Sequence, residues 1–157
     1  MTRRVLQDGV SLDRQEQIEF ILDHYQQPRH RGKLEPAEVT MPGGNPGCGD
    51  VVTLYLNIDP ATQRIAAVTF EGEGCTISQA AASILMEKMQ GAPLSEVDTL
   101  DYNDMIDELG REVVSTRPRC ATLALGTLKA AVKKYRIDQR HSRGDVAELE
   151  DVARFEN

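Results

Sequence analysis

At 157 residues, 40% of them hydrophobic, the chain is long enough for one domain with a core of its own. A formal net charge of −7, 4% aromatic residues and no tryptophan argue against a nucleic-acid-binding surface, which needs a basic face or stacking platforms. There is no apolar run long enough to span a membrane, and no apolar segment follows Arg3 and Arg4, so the expectation is a cytoplasmic protein with reduced thiols.

Residues 1–14 are expected to form an N-terminal arm. From Gln15 to Gln26 the apolar positions Ile18, Ile21, Leu22 and Tyr25 trace a helical stripe, with Asp13 as N-cap and Pro28 just past the end. His24, near that helix end, is expected on a partner-docking face or as a partner of the helix dipole. Arg29 to Gly49 holds five glycines and three prolines and is expected to be one long functional loop. Val51–Ile58 alternates, with Val52, Leu54, Leu56 and Ile58 on one face; after the turn Asp59–Gln63, Arg64–Glu71 alternates again through Ala66, Val68 and Phe70. The pair predicts an antiparallel hairpin.

Thr76–Gln90 carries Ile77, Ala80, Ala81, Ile84, Leu85 and Met89 at helical spacing and stops at Gly91 and Pro93. A single turn over Leu94–Val97 and a short helix over Tyr102–Leu109, ended by Gly110, follow. Cys120–Tyr135 predicts another helix, with Leu125, Leu128, Val132 and Tyr135 on its buried stripe and Lys129, Lys133 and Lys134 on a solvated face. Residues 136–157 are a polar tail in which 146–155 can form a peripheral helix or fray. Helix, hairpin, then helices predicts an α+β domain over 15–135: a small antiparallel sheet with helices packed over it.

Three cysteines stand out. Cys48 lies in Pro42-Gly43-Gly44-Asn45-Pro46-Gly47-Cys48-Gly49-Asp50, Cys75 closes Gly72-Glu73-Gly74-Cys75 before a helix, and Cys120 follows Arg117-Pro118-Arg119. An intracellular cysteine is often a small buried hydrophobe. Glycine and arginine neighbours are poor packing company, however, and helix starts and guanidinium groups favour a thiolate. With Asp50 adding an oxygen, three sulfurs and a carboxylate can hold one tetrahedral metal or part of an iron–sulfur cluster. The alternatives are a capping role for Asp50 and a solvated pair for Arg117 and Arg119.

Four motifs together resemble the U-type iron–sulfur scaffold family, the IscU and SufU proteins and the N-terminal part of NifU. They are Ile21-Leu22-Asp23-His24-Tyr25-Gln26-Gln27-Pro28-Arg29, Asn45-Pro46-Gly47-Cys48-Gly49-Asp50, Phe70-Glu71-Gly72-Glu73-Gly74-Cys75-Thr76-Ile77-Ser78 and Arg117-Pro118-Arg119-Cys120-Ala121-Thr122-Leu123. The resemblance implies a SufE/NifU-like fold with the site at one end, and Cys48, Asp50, Cys75 and Cys120 as ligands of zinc or a [2Fe–2S] cluster. It also implies sulfur-handling roles for Cys48, Cys120 and Arg117. A cysteine desulfurase is the implied sulfur donor, and iron–sulfur carriers or apo-proteins are the implied acceptors. Arg119 stands where the IscU branch has a histidine, and Arg117 matches the SufU branch. The extra segment that SufU proteins carry between the second and third cysteines is absent. Two functions follow: a scaffold and carrier for cluster assembly, or a zinc-dependent sulfurtransferase that activates the desulfurase without building a cluster.

Overall fold

The computed structural model describes residues 13–45 and 49–142. The described residues open at the cap of helix α1 (Arg14–Gln26). Asp13 Oδ1 accepts from the Glu16 N–H at 2.8 Å while Glu16 Oε1 accepts from the Asp13 N–H at 3.1 Å, a reciprocal capping box. The buried face of α1 differs from the expected stripe. Gln17, Ile21 and His24 are buried, while Leu22 and Tyr25 are exposed and Ile18 half-buried. Polar partners explain the rotation. His24 Nδ1 lies 2.7 Å from Ser83 Oγ, and the Phe20 ring meets the imidazole edge-on at 4.8 Å, so histidine is buried with its hydrogen bonding satisfied. The expected surface role for His24 is thereby corrected.

The sheet has three antiparallel strands in the order β1 (Val39–Asn45), β2 (Asp50–Asp59), β3 (Arg64–Glu73). The β2–β3 hairpin is the one expected. The long loop expected over 29–49 is corrected, because its second half is β1, paired from Val39↔Leu56 to Asn45↔Asp50. Pro42 is tolerated because β1 is an edge strand. Gly43 is required by close approach, since a Cβ there would collide with the Thr127 hydroxyl of the helix above. A bulge at Asn57/Ile58 shifts the register, so Ile65 and not Ala66 faces the core beside Val68 and Phe70. The free side of β3 is partly covered: the Gly32 N–H donates to Phe70 O at 2.8 Å and the Phe70 N–H to His30 O at 3.0 Å.

After β3 come α2 (Thr76–Met89), α3 (Leu94–Thr99), α4 (Tyr102–Leu109) and α5 (Pro118–Ser142). Helix α5 packs on β1 and β2, α2 on β3 and α5, and α1 on α2. Buried Ala80, Ala81, Ala121 and Ala124 allow α2 and α5 to approach the sheet and each other closely. Helix α5 starts at Pro118, a favourable first helical position, and runs to Ser142, seven residues past the expected Tyr135. Lys129 is not on a solvated face: it is half-buried and donates to Val97 O at 2.8 Å. No helix among the described residues is long and apolar enough to cross a membrane.

Candidate metal centre

Strand parity places the first site residue. Successive side chains alternate across a sheet, so Asp50 shares the helix-facing side with Val52, Leu54, Leu56 and Ile58. It is as buried as they are, at 1% exposure. A carboxylate there needs partners, and two helix starts provide them. Cys75 is the N-cap of α2, and Cys120 lies in the first turn of α5. The Cys75 backbone N–H donates to Asp50 Oδ1 at 2.9 Å, and the Cys120 thiol donates to Asp50 Oδ2 at 2.8 Å. The Cys75 sulfur stands 3.8 Å from the same Oδ2. One ligand atom from each of Asp50, Cys75 and Cys120 falls within 4.8 Å of the others. Thiolates on one tetrahedral zinc sit about 3.8 Å apart, so this donor set has nearly the spacing a soft metal requires.

The electrostatics favour anionic sulfur. Burial pushes the Cys75 thiol up, but hydrogen bonds from the Ser78 N–H and hydroxyl, from Cys120 and from Arg117 outweigh it and hold the thiol below its ordinary value. The Ser78 N–H points at Cys75 Sγ from 3.4 Å, as a helix N-terminal amide does to a cap. Both helix dipoles direct their positive ends at the cluster. Arg117 is exposed and lines an open groove of about 440 Å³ with Tyr25, Gly74, Cys75, Thr76 and Ile77. Cys75 is thus the half-buried thiol that faces this groove, whereas Cys120 is buried. Arg119 is exposed. Cys48 lies outside the described residues, two positions before Asp50 along the chain.

Two supporting residues escaped the sequence reading. Ser78 was readable as the third residue after a helix-capping cysteine. Gly74 is harder to see: its φ of +153° is a glycine conformation, and a Cβ would collide with Asp50 Oδ1 and lie 2.8 Å from Ser78 Oγ. The absent side chain at Gly74 is the space that the carboxylate occupies.

A buried carboxylate bridging two helix-start thiols, at one end of an α+β layer pair, is a donor set able to hold a soft metal on a small antiparallel sheet. The chain belongs to the NifU-like N-terminal domain family, whose model matches residues 16–142. It is 36% identical over 121 residues to the iron–sulfur cluster assembly scaffold protein IscU of Aquifex aeolicus, covering 77% of this chain and 76% of that protein. A Thermotoga maritima protein of the same name is 36% identical over 132 residues, covering 74% of this chain and 92% of its own length. Among solved structures, a candidate iron–sulfur cluster assembly scaffold for the SUF system from Fervidobacterium islandicum matches with a TM-score of 0.61 at 32% identity, over 72% of this chain and 93% of that one. The N-terminal part of a NifU-like protein from Brucella abortus shares the fold with a TM-score of 0.62 at 16% identity, over 73% of this chain and 90% of that one.

Proposed function

We propose that this chain is an iron–sulfur cluster assembly scaffold that holds iron, a [2Fe–2S] cluster or zinc as cargo on Cys48, Asp50, Cys75 and Cys120. The observation that carries the reading is the contact of the Asp50 carboxylate with both described thiols. Membership of a family whose relatives bear the scaffold name supports it. Sulfur would come from a cysteine desulfurase in the cytoplasm and the finished cluster would go to carriers or apo-proteins. In the accepting step a scaffold thiolate attacks the outer sulfur of the donor's persulfide. A new S–S bond forms on the scaffold, the donor's S–S bond breaks, and the donor cysteine leaves as a thiolate. The resemblance implies sulfur-handling roles for Cys48 and Cys120, and the open groove and Arg117 favour Cys75 as an acceptor alongside them. Asp50 is a hard ligand among soft ones and is the donor expected to yield first on release.

A zinc-dependent sulfurtransferase is the second reading, favoured by Arg117 beside the Cys75 thiol and by Arg119 in place of a histidine ligand. One experiment separates the two. The anaerobic protein is incubated with a desulfurase, cysteine and ferrous iron, and its visible spectrum, iron and sulfide are measured. A charge-transfer spectrum with about two irons and two sulfides per cluster supports the scaffold. Retained zinc, accelerated desulfurase turnover and no colour support the transferase.

A further inference from the structure

The two described thiols of the centre are not equivalent, and the difference suits a chemistry that metal binding alone does not use. Cys75 lines the open groove, is half-buried, and has its thiol held below the ordinary value. Cys120 is buried, at 3% exposure, and is not among the residues lining that groove. The two sulfurs lie within 4.8 Å of each other, so bonding them needs an approach of less than about 3 Å. They share Asp50 Oδ2, which is 2.8 Å from the Cys120 sulfur and 3.8 Å from the Cys75 sulfur. An open thiol in front, a buried thiol behind it, and a proton acceptor on the buried one together meet the needs of a two-thiol exchange. A sulfur atom delivered to Cys75 arrives from the groove, where that thiol is open. It extends outward, so the inner sulfur of the resulting persulfide keeps its other side toward Cys120.

Given the persulfide-accepting step of the proposed function, we propose that Cys120 is the resolving thiol of a persulfide on Cys75. The pair releases the delivered sulfur as hydrosulfide while closing a Cys75–Cys120 disulfide. Asp50 Oδ2 takes the Cys120 proton as that sulfur attacks the inner sulfur of the persulfide. The Cys120–Cys75 bond forms, the persulfide S–S bond breaks, and its electron pair leaves with the outer sulfur and its hydrogen as HS⁻. The Cys120 sulfur is oxidised from the thiol to the disulfide level, and the outer sulfur is reduced from the persulfide to the sulfide level. No other reductant enters the step. The reaction belongs to the metal-free site, where neither sulfur is ligated. It produces sulfide, the form that a cluster incorporates, beside the donors proposed to hold iron. It leaves a disulfide that an external dithiol must reduce before these two sulfurs can bind metal.

The test uses the full metal-free chain under anaerobic conditions. One equivalent of a small-molecule persulfide is added to wild type and to Cys120→Ser, whose hydroxyl keeps a donor toward Asp50, and the hydrosulfide released above that of the donor alone is trapped and counted. Free thiols are then blocked and proteolytic peptides are mapped by mass spectrometry. Wild type should release at least about tenfold more hydrosulfide than Cys120→Ser, a modest advantage for a thiol held beside its target, and should yield a peptide that joins Cys75 to Cys120. Cys120→Ser should instead keep one extra sulfur atom on Cys75. Equal release from the two proteins, a disulfide joining Cys75 to Cys48, or an extra sulfur carried on Cys120 overturns the proposal. So does a Cys75 that takes up no sulfur from this donor. A parallel incubation with a cysteine desulfurase and cysteine tests the accepting step by itself. No sulfur on the chain there, with the small-molecule result intact, removes the desulfurase as donor and leaves the thiol pair standing.

Discussion

Replacing Gly74 with alanine tests whether the site depends on space left for one carboxylate. The new Cβ would collide with Asp50 Oδ1, and the backbone sits at φ +153°. The strained conformation costs about 1–3 kcal/mol. If Asp50 moves to make room, the Cys75 N–H at 2.9 Å loses an ionised acceptor, a loss of about 1.5–3 kcal/mol. The metal-free variant should therefore be about 2.5–6 kcal/mol less stable to urea, from those two terms together. Zinc should bind roughly 10- to 100-fold more weakly in competition with a chromophoric chelator, the fold-change that matches displacement of one charged ligand. Gly91→Ala is the control: φ is +82° but open space surrounds its Cβ, so it should lose about 1–3 kcal/mol and no metal affinity. Wild-type metal affinity in Gly74→Ala, or equal metal loss in Gly91→Ala, would refute the reasoning.

Asp50→Ala should weaken zinc binding about as much as Gly74→Ala does and pass cluster on more slowly, whereas Cys120→Ala should lose most of its metal to the same chelator; equal losses in Asp50→Ala and Cys120→Ala would show that Asp50 is no labile ligand. Arg117→Ala should slow alkylation of metal-free Cys75 at neutral pH and shift the rate profile to higher pH, because the guanidinium is one of the groups holding that thiol down, although burial opposes it. The same variant should stimulate a desulfurase less while its metal content stays near wild type. The Arg136 hydrogen bonds hold Asp98 below its ordinary 3.8, so their contribution is present above that value and disappears as pH falls through the lower folded one. Urea midpoints of wild type and Arg136→Gln should accordingly differ at pH 7 and converge below about pH 4.

What the sequence made legible follows the strength of its periodicities. Val52 to Ile58 alternates cleanly, and the hairpin and its core face are found where expected. The β1 strand has Pro42, Gly43 and Gly44 at its middle, so it carries no alternation; it is a strand because β2 offers it an edge and α5 a surface. The α1 face was obscured by chemistry: Gln17 and His24 are buried by partners distant in the chain, Gly110 and Ser83, which a local pattern cannot contain. At the site, Cys75, Cys120 and Asp50 could be chosen from their neighbours alone. Their convergence depends on strand parity and on two helix starts meeting one sheet end. Nothing local in Gly74 announces that it makes room for Asp50.

The three described site residues are distant in sequence: Asp50 is 25 residues from Cys75 and 70 from Cys120. Cargo held among them therefore ties the first residue of β2 to the heads of α2 and α5, in effect a cross-link that can be removed. A permanent bond closing a 70-residue loop would be worth about 4 kcal/mol against unfolding. On the proposed reading, a loaded scaffold would be stiffer at this end than an empty one, quite apart from the chemistry of what it carries, and a protease should meet the empty form as the softer target.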